Sequence, residues 1–145
     1  MTWTAERLLV WVLRATGSAA LLALPCAFMP LPWMDAVHRR LSLGPLPAGP
    51  VVEYLARSLS GFYATHGALL WFVSLDVRRY RPWIEFLGWI MLAGGAAVLV
   101  LDATAGMPAF WTALEGPAVS LQGLAVTILA RRTRRPPQAA SPRTS

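Results

Sequence analysis

The 145-residue chain contains no lysine and no asparagine, a single cysteine, two histidines and only seven acidic residues. Each shortage closes off a class of protein. With Cys26 alone no internal disulfide can form, and without asparagine there is no acceptor for N-linked glycosylation. His38 and His66 show no zinc or iron spacing with the cysteine or the carboxylates. No glycine-rich loop follows a strand pattern, and no serine or cysteine has an evident base beside it. The expectation is therefore of no cofactor, no resident metal and no catalytic residue. Charged residues make up 14% of the chain, against about 25% in soluble domains, too few to clothe a water-exposed surface.

What the chain has instead is long apolar runs. Four of them, at about 8–29, 51–75, 83–101 and 110–130, each approach the ~20 residues that carry a helix across ~30 Å of hydrocarbon. The expected fold is all-α, a four-helix transmembrane bundle over 1–130 with a basic tail over 131–145. That tail, rich in Pro, Ser and Arg, lacks apolar residues to bury and is expected to be disordered beside anionic lipid. The first run is read as an uncleaved span, because Arg14 interrupts the apolar core that a signal peptide would need.

A net charge of +6 in a soluble protein would suggest nucleic acid. Here all thirteen basic residues are arginine, a bias that fits a GC-rich bacterial genome, and their positions speak of topology. Arg78, Arg79 and Arg81 fill the gap after the second run, and Arg131, Arg132, Arg134 and Arg135 follow the fourth. The first gap holds Arg39 and Arg40, and the third holds no basic residue. The excess of arginine on one side predicts a bacterial inner-membrane protein with both termini cytoplasmic. The bilayer is then the expected partner, together with a second copy or another membrane protein, and no nucleic acid is expected.

The first external segment, Pro30 to Pro50, carries Trp33, Met34, Val37 and Leu41 on one side of a helical pattern. It reads as an interfacial helix. The remaining gaps are short, so the second, third and fourth runs are expected to pack as antiparallel neighbours, with the third central. Membrane helices approach through small residues. Gly61 and Ala64 in the second run, and Gly88 and Gly95 in the third, are the expected packing positions.

An ionised group inside a bilayer costs several kcal/mol unless it finds a partner. Arg57 and Glu115 lie at similar depths from the same side, Glu53 is one turn above Arg57, and Asp102 closes the third run at that level. These four are expected to form a polar cluster in the outer half of the bundle. It can be a structural network that fixes helix register, or a site for a small polar solute, ion or proton. His66, at 180° from Arg57 on the helical wheel, is read as a neutral mid-membrane residue bonded to a neighbouring helix.

The stretch Arg57-Ser-Leu-Ser-Gly61-Phe-Tyr63-Ala-Thr-His-Gly67, with Asp102, Gly106-Met-Pro108 and Glu115-Gly116-Pro117, resembles small bacterial membrane proteins of the BphX-like and DoxX-like kind. The resemblance implies a four-helix inner-membrane protein, in some cases an accessory subunit of a redox complex or a neighbour of catabolic enzymes. It brings no catalytic residues with it.

Overall fold

A computed structural model of the chain describes residues 4–133, and every element in that range is helical. The elements are α1 (Ala5–Leu21), α2 (Leu24–Ala27), α3 (Leu31–Arg40), α4 (Pro50–Ser74), α5 (Arg81–Ala105) and α6 (Ala109–Arg132). The expectation for the tail beyond Thr133 lies outside the described residues.

Local chemistry sets the helix ends. Thr4 caps α1, its hydroxyl accepting the Arg7 N–H at 3.4 Å, and Glu6 in the first turn complements the helix dipole. α1 stops at Leu21 because Pro25 has no N–H to offer the Leu21 carbonyl, and its ring would strike it. The chain turns at residues 22 and 23 and resumes as α2. Prolines at the first or second position open α3, α4 and α5, where a missing N–H costs nothing. α5 ends at Gly106, whose φ of 70° supplies the left-handed cap.

Three helical stretches are long and apolar enough to cross a membrane: Ala5–Ala27, Arg81–Ala105 and Ala109–Arg132, with mean hydropathies of 1.6, 2.1 and 1.4. α4 does not join them. Its 25 residues equal α5 in length, but Glu53, Arg57 and His66 lie within it and lower its hydropathy. The apolar criterion thus supports three spans rather than the expected four.

The packing order is α4, α1, α6, α5, with α2 lying against α4. α4 and α5 are joined by a tight turn yet do not pack along their lengths, and α5 is not central. α1 and α6 form the inner pair, which corrects the expected neighbour scheme. The closest approach joins α5 to α6 through two glycine pairs, Gly88 with Gly123 and Gly95 with Gly116. A Cβ on Gly95 would come within 2.6 Å of the Gly116 carbonyl oxygen, and one on Gly123 within 2.5 Å of the Gly88 oxygen. A seven-residue spacing on each helix places both glycines on one face, so the two antiparallel backbones meet twice. Gly17 and Gly67 do the same for α1 and α4, where a Cβ on Gly67 would stand 2.6 Å from the Gly17 oxygen.

The hydrophobic core lies at one end of this bundle. Leu9, Leu13, Leu70, Val73, Val77, Ile84, Val126, Leu129 and Ala130 are buried together there. Ion pairs of 2.7 Å from Arg78 to Glu6 and from Arg131 to Glu85 fasten the rim. The lateral surface is apolar: Phe28, Leu22 and Phe62 are 79%, 75% and 72% exposed, while Ser74, Asp102 and Thr127 are buried. This pattern inverts that of a water-soluble domain and suits a protein embedded in lipid.

Candidate functional site

The four expected cluster residues separate into two groups. Glu53 and Arg57, one turn apart on α4, form an ion pair of 2.8 Å. Arg57 Nη1 also donates to the Ala27 carbonyl oxygen at 2.7 Å. That carbonyl belongs to the last residue of α2, so the arginine ties the broken end of the first helical stretch to α4. Its charge is spent there, and no ion pair joins it to Glu115 or Asp102 among the described residues.

The second group contains Glu115, Asp102 and a residue the sequence did not single out, Tyr63. Trp111, one turn before Glu115 on α6, donates its indole N–H to one Glu115 oxygen. The Tyr63 hydroxyl on α4 donates to the other at 3.5 Å. Asp102 is 8% exposed, and its Oδ2 is buried without a hydrogen-bond partner. Helix side chains tilt toward the N-terminus of their own helix. Tyr63 and Glu115 therefore lean toward the α5–α6 loop, and Asp102, on a helix running the other way, leans toward them.

Below this group, at the middle of the bundle, a cleft of about 350 Å³ opens between α1, α4, α5 and α6. Its walls carry Thr16, Tyr63, His66 and Gln122 among alanines, Met91 and Val119. Gln122 donates its amide to the Thr16 hydroxyl, which itself donates to the Val12 carbonyl at 2.7 Å. The spare carbonyl oxygen of Gln122 and both ring nitrogens of His66 have no hydrogen-bond partner among the described residues. His66 thus lines the cleft instead of bonding to a neighbouring helix. Gln122 and Thr16 gave no motif signal. The only available clue was their polarity within apolar runs.

Of the expected packing residues, Gly88 and Gly95 lie in the α5–α6 contact and Ala64 is buried, whereas Gly61 has open space where a side chain would begin. Gly116, beside Glu115 on α6, is a contact residue facing Gly95.

Outside the long helices, α3 is closed on its own loop. Asp35 pairs with Arg39 at 2.8 Å and accepts the Leu46 N–H at 2.7 Å, and His38 Nδ1 lies 2.9 Å from the Gly44 carbonyl oxygen. The Arg39 guanidinium first, and then the Leu46 N–H, hold the Asp35 carboxyl below its ordinary range. At the opposite end the Glu6 carboxylate pushes Arg78 upward and secures its charge.

The chain matches no protein-family model, no curated protein and no solved structure.

Proposed function

We propose that this is a four-pass protein of the bacterial inner membrane that holds a small polar solute inside its bundle and performs no catalysis of its own. The observation that carries this reading is the mid-bundle cleft, walled by His66, Tyr63, Thr16 and Gln122 where lipid-soluble packing calls for apolar side chains. In this reading α4 is the fourth crossing. Its Arg57 is made tolerable by Glu53 and by the Ala27 carbonyl oxygen, and its His66 faces the cleft instead of lipid. Arg7, Arg78, Arg79 and Arg131 lie at one end of the bundle, which supports placing both termini in the cytoplasm and α3 on the outer leaflet. The layout accords with the likeness to BphX-like and DoxX-like proteins.

Two measurements test the reading. With Cys26 replaced by serine, a cysteine at Ser42 is expected to react with an impermeant maleimide in intact cells, and one at Arg79 only in inverted vesicles. Labelling of both on the same side removes the fourth crossing. Protein purified in mild detergent is expected to carry a small molecule that an Ala20→Phe variant, with its cleft filled, lacks. Identical small-molecule content in the two samples defeats the solute reading.

A second reading, an accessory or self-associating component, is favoured by one observation. Gly61 on α4 and Gly94 on α5 both face open space, leaving small-residue surface that a further helix can approach. A single sedimenting species of monomer mass, alone in its detergent micelle and without co-purifying protein, counts against it.

A further inference from the structure

The seam between α1 and α4 carries arginine that the described residues do not neutralise. Arg7, Trp11 and Arg14 recur at four- and seven-residue spacing, which puts them in one stripe along α1, away from the buried Leu9 and Leu13. α1 belongs to the first long apolar stretch, and Arg14 stands about 10 Å further along it than Arg7. Arg14 Nε donates to the Ser74 hydroxyl at 3.2 Å, and its guanidinium lies 5.1 Å from the Trp71 ring centre, so it sits on the α4 side of the stripe. Neither partner is an anion. Among the described residues no carboxylate pairs with Arg7 or Arg14, whereas Arg39, Arg57, Arg78, Arg81 and Arg131 each have one. The others without one, Arg40, Arg79 and Arg132, stand at helix ends or in a turn. A guanidinium well inside an apolar span is costly unless an anion reaches it.

At the shallow end of the stripe a recess of about 420 Å³ opens between α1 and the turn that follows α4. Arg7 and Arg78 line it together with Glu6, Val10 and Trp11. Arg78 spends its Nε and Nη2 groups on Glu6, which leaves Nη1 for a second acceptor. Trp11 is 62% exposed and stands between the two arginines of α1 along the helix axis. The carboxylates that α1 and this turn contribute are Glu6 and Asp76, against Arg7, Arg14, Arg78 and Arg79, so the seam keeps a surplus of positive charge.

We propose that this stripe binds one anionic glycerophospholipid, its phosphodiester held by Arg7 and Arg78 and drawn toward Arg14, with an acyl chain laid against Val10 and Trp11. A lipid phosphate is an anion already at the edge of the hydrocarbon, and guanidinium N–H groups match its oxygens in pairs. A zwitterionic lipid brings its own ammonium, which surplus arginine repels. The site is separate from the mid-bundle cleft, and neither depends on the other.

The test is native mass spectrometry of the full-length protein in mild detergent, equilibrated with equal amounts of dioleoylphosphatidylglycerol and dioleoylphosphatidylcholine. One phosphatidylglycerol per protein is expected to be retained, at least tenfold in preference to phosphatidylcholine. Arg7→Gln, at an exposed position whose side chain has no partner among the described residues, is expected to fold normally and to lower that preference about fivefold. Arg14→Gln should lower it at least as much, and Arg40→Gln, at the end of α3, should leave it unchanged. Glycerol 3-phosphate in excess is not expected to displace the lipid, because it lacks the chain that Val10 and Trp11 would contact. Equal retention of the two lipids overturns the proposal, as does a wild-type preference in Arg7→Gln. Displacement by glycerol 3-phosphate would replace the lipid with a soluble phosphate ester as the occupant, and an equal loss in Arg40→Gln would reduce the preference to net charge; either result defeats the assignment.

Discussion

The two ends of the bundle meet the same difficulty, ionised side chains beside hydrocarbon, in opposite ways. At the arginine end Glu6 pairs with Arg78 and Glu85 with Arg131, the exposed Asp76 accepts the Arg79 N–H, and the interior beneath them is filled by Leu9, Leu13, Leu70, Ile84 and Val126, none more than 1% exposed. At the loop end Asp102 is buried without a matching charge, Glu115 is held by an indole and a phenol, and the interior opens into a cleft. A fold anchored firmly at one end tolerates unpaired polar groups at the other, because stability lost there has already been secured elsewhere. The glycine contacts between α5 and α6 run through the middle and hold both regimes together.

Breaking that middle contact should have the largest effect. Gly95→Leu or Gly123→Leu would place side-chain atoms against backbone that cannot retreat, and a loss of about 3 kcal/mol or failure to fold is expected. Gly94→Leu on the same helix, where nothing lies within 4 Å, should unfold at nearly the wild-type temperature in detergent. Equal behaviour of Gly95→Leu and Gly94→Leu would remove the α5–α6 contact as an organising feature. Truncation comes next. Leu70→Ala, at the filled end, is expected to cost about 2–3 kcal/mol through lost packing. Leu114→Ala, 65% exposed on the lateral surface of α6, should cost no more than about 0.5 kcal/mol. Similar costs at the two positions would erase the distinction between filled interior and lipid-facing surface.

The helical class and the three most apolar stretches were legible in the sequence, because hydrocarbon thickness imposes both length and composition. Arginine placement likewise marked the segments that come together at one end. Packing order was not legible. Short loops suggested that α4 lies on α5, but whether neighbours in sequence pack depends on which faces carry matched small residues. Gly67 finds Gly17 on α1, and Gly88 and Gly95 find Gly123 and Gly116 on α6. Gly61 looked equivalent to these and faces open space, since a wheel position shows which residues share a face and not what lies opposite. The polar residues were visible individually, but their grouping was not. Arg57 is claimed by the Ala27 carbonyl, which becomes available only because Pro25 breaks the first helical stretch, and a freed backbone group leaves no mark in composition. Thr16 and Gln122 went unnoticed, and Tyr63 entered only as part of a resemblance, because an uncharged polar residue in an apolar run is ordinary until several converge.

Asp102→Asn sharpens the comparison from the other direction. The substitution keeps size and removes a charge that has no partner, so stability is expected to rise by about 1 kcal/mol, measured as a higher melting temperature. Glu85→Gln, at the arginine end, should lower it, because Arg131 would lose its 2.7 Å partner. Opposite signs for two carboxylate-to-amide changes would mark Asp102 as a group kept at a cost to the fold. A fall in stability for Asp102→Asn would make it part of the structural scaffold instead.

The smallest effect concerns the α3 loop, where the Asp35 carboxylate is stabilised by Arg39 and the Leu46 N–H but remains partly exposed to solvent. Because its folded-state value is depressed below the ordinary 3.8, the carboxylate's contribution is complete above that value. It is lost only as pH falls through the lower folded value. Resistance of residues 41–49 to hydrogen exchange should therefore stay level from neutrality down to weak acid and decline below about pH 3.8, while the α5–α6 amides remain protected. Asp35→Asn should show the weaker protection at every pH. A decline that begins near neutrality would show that Asp35 is not the group that holds this loop closed.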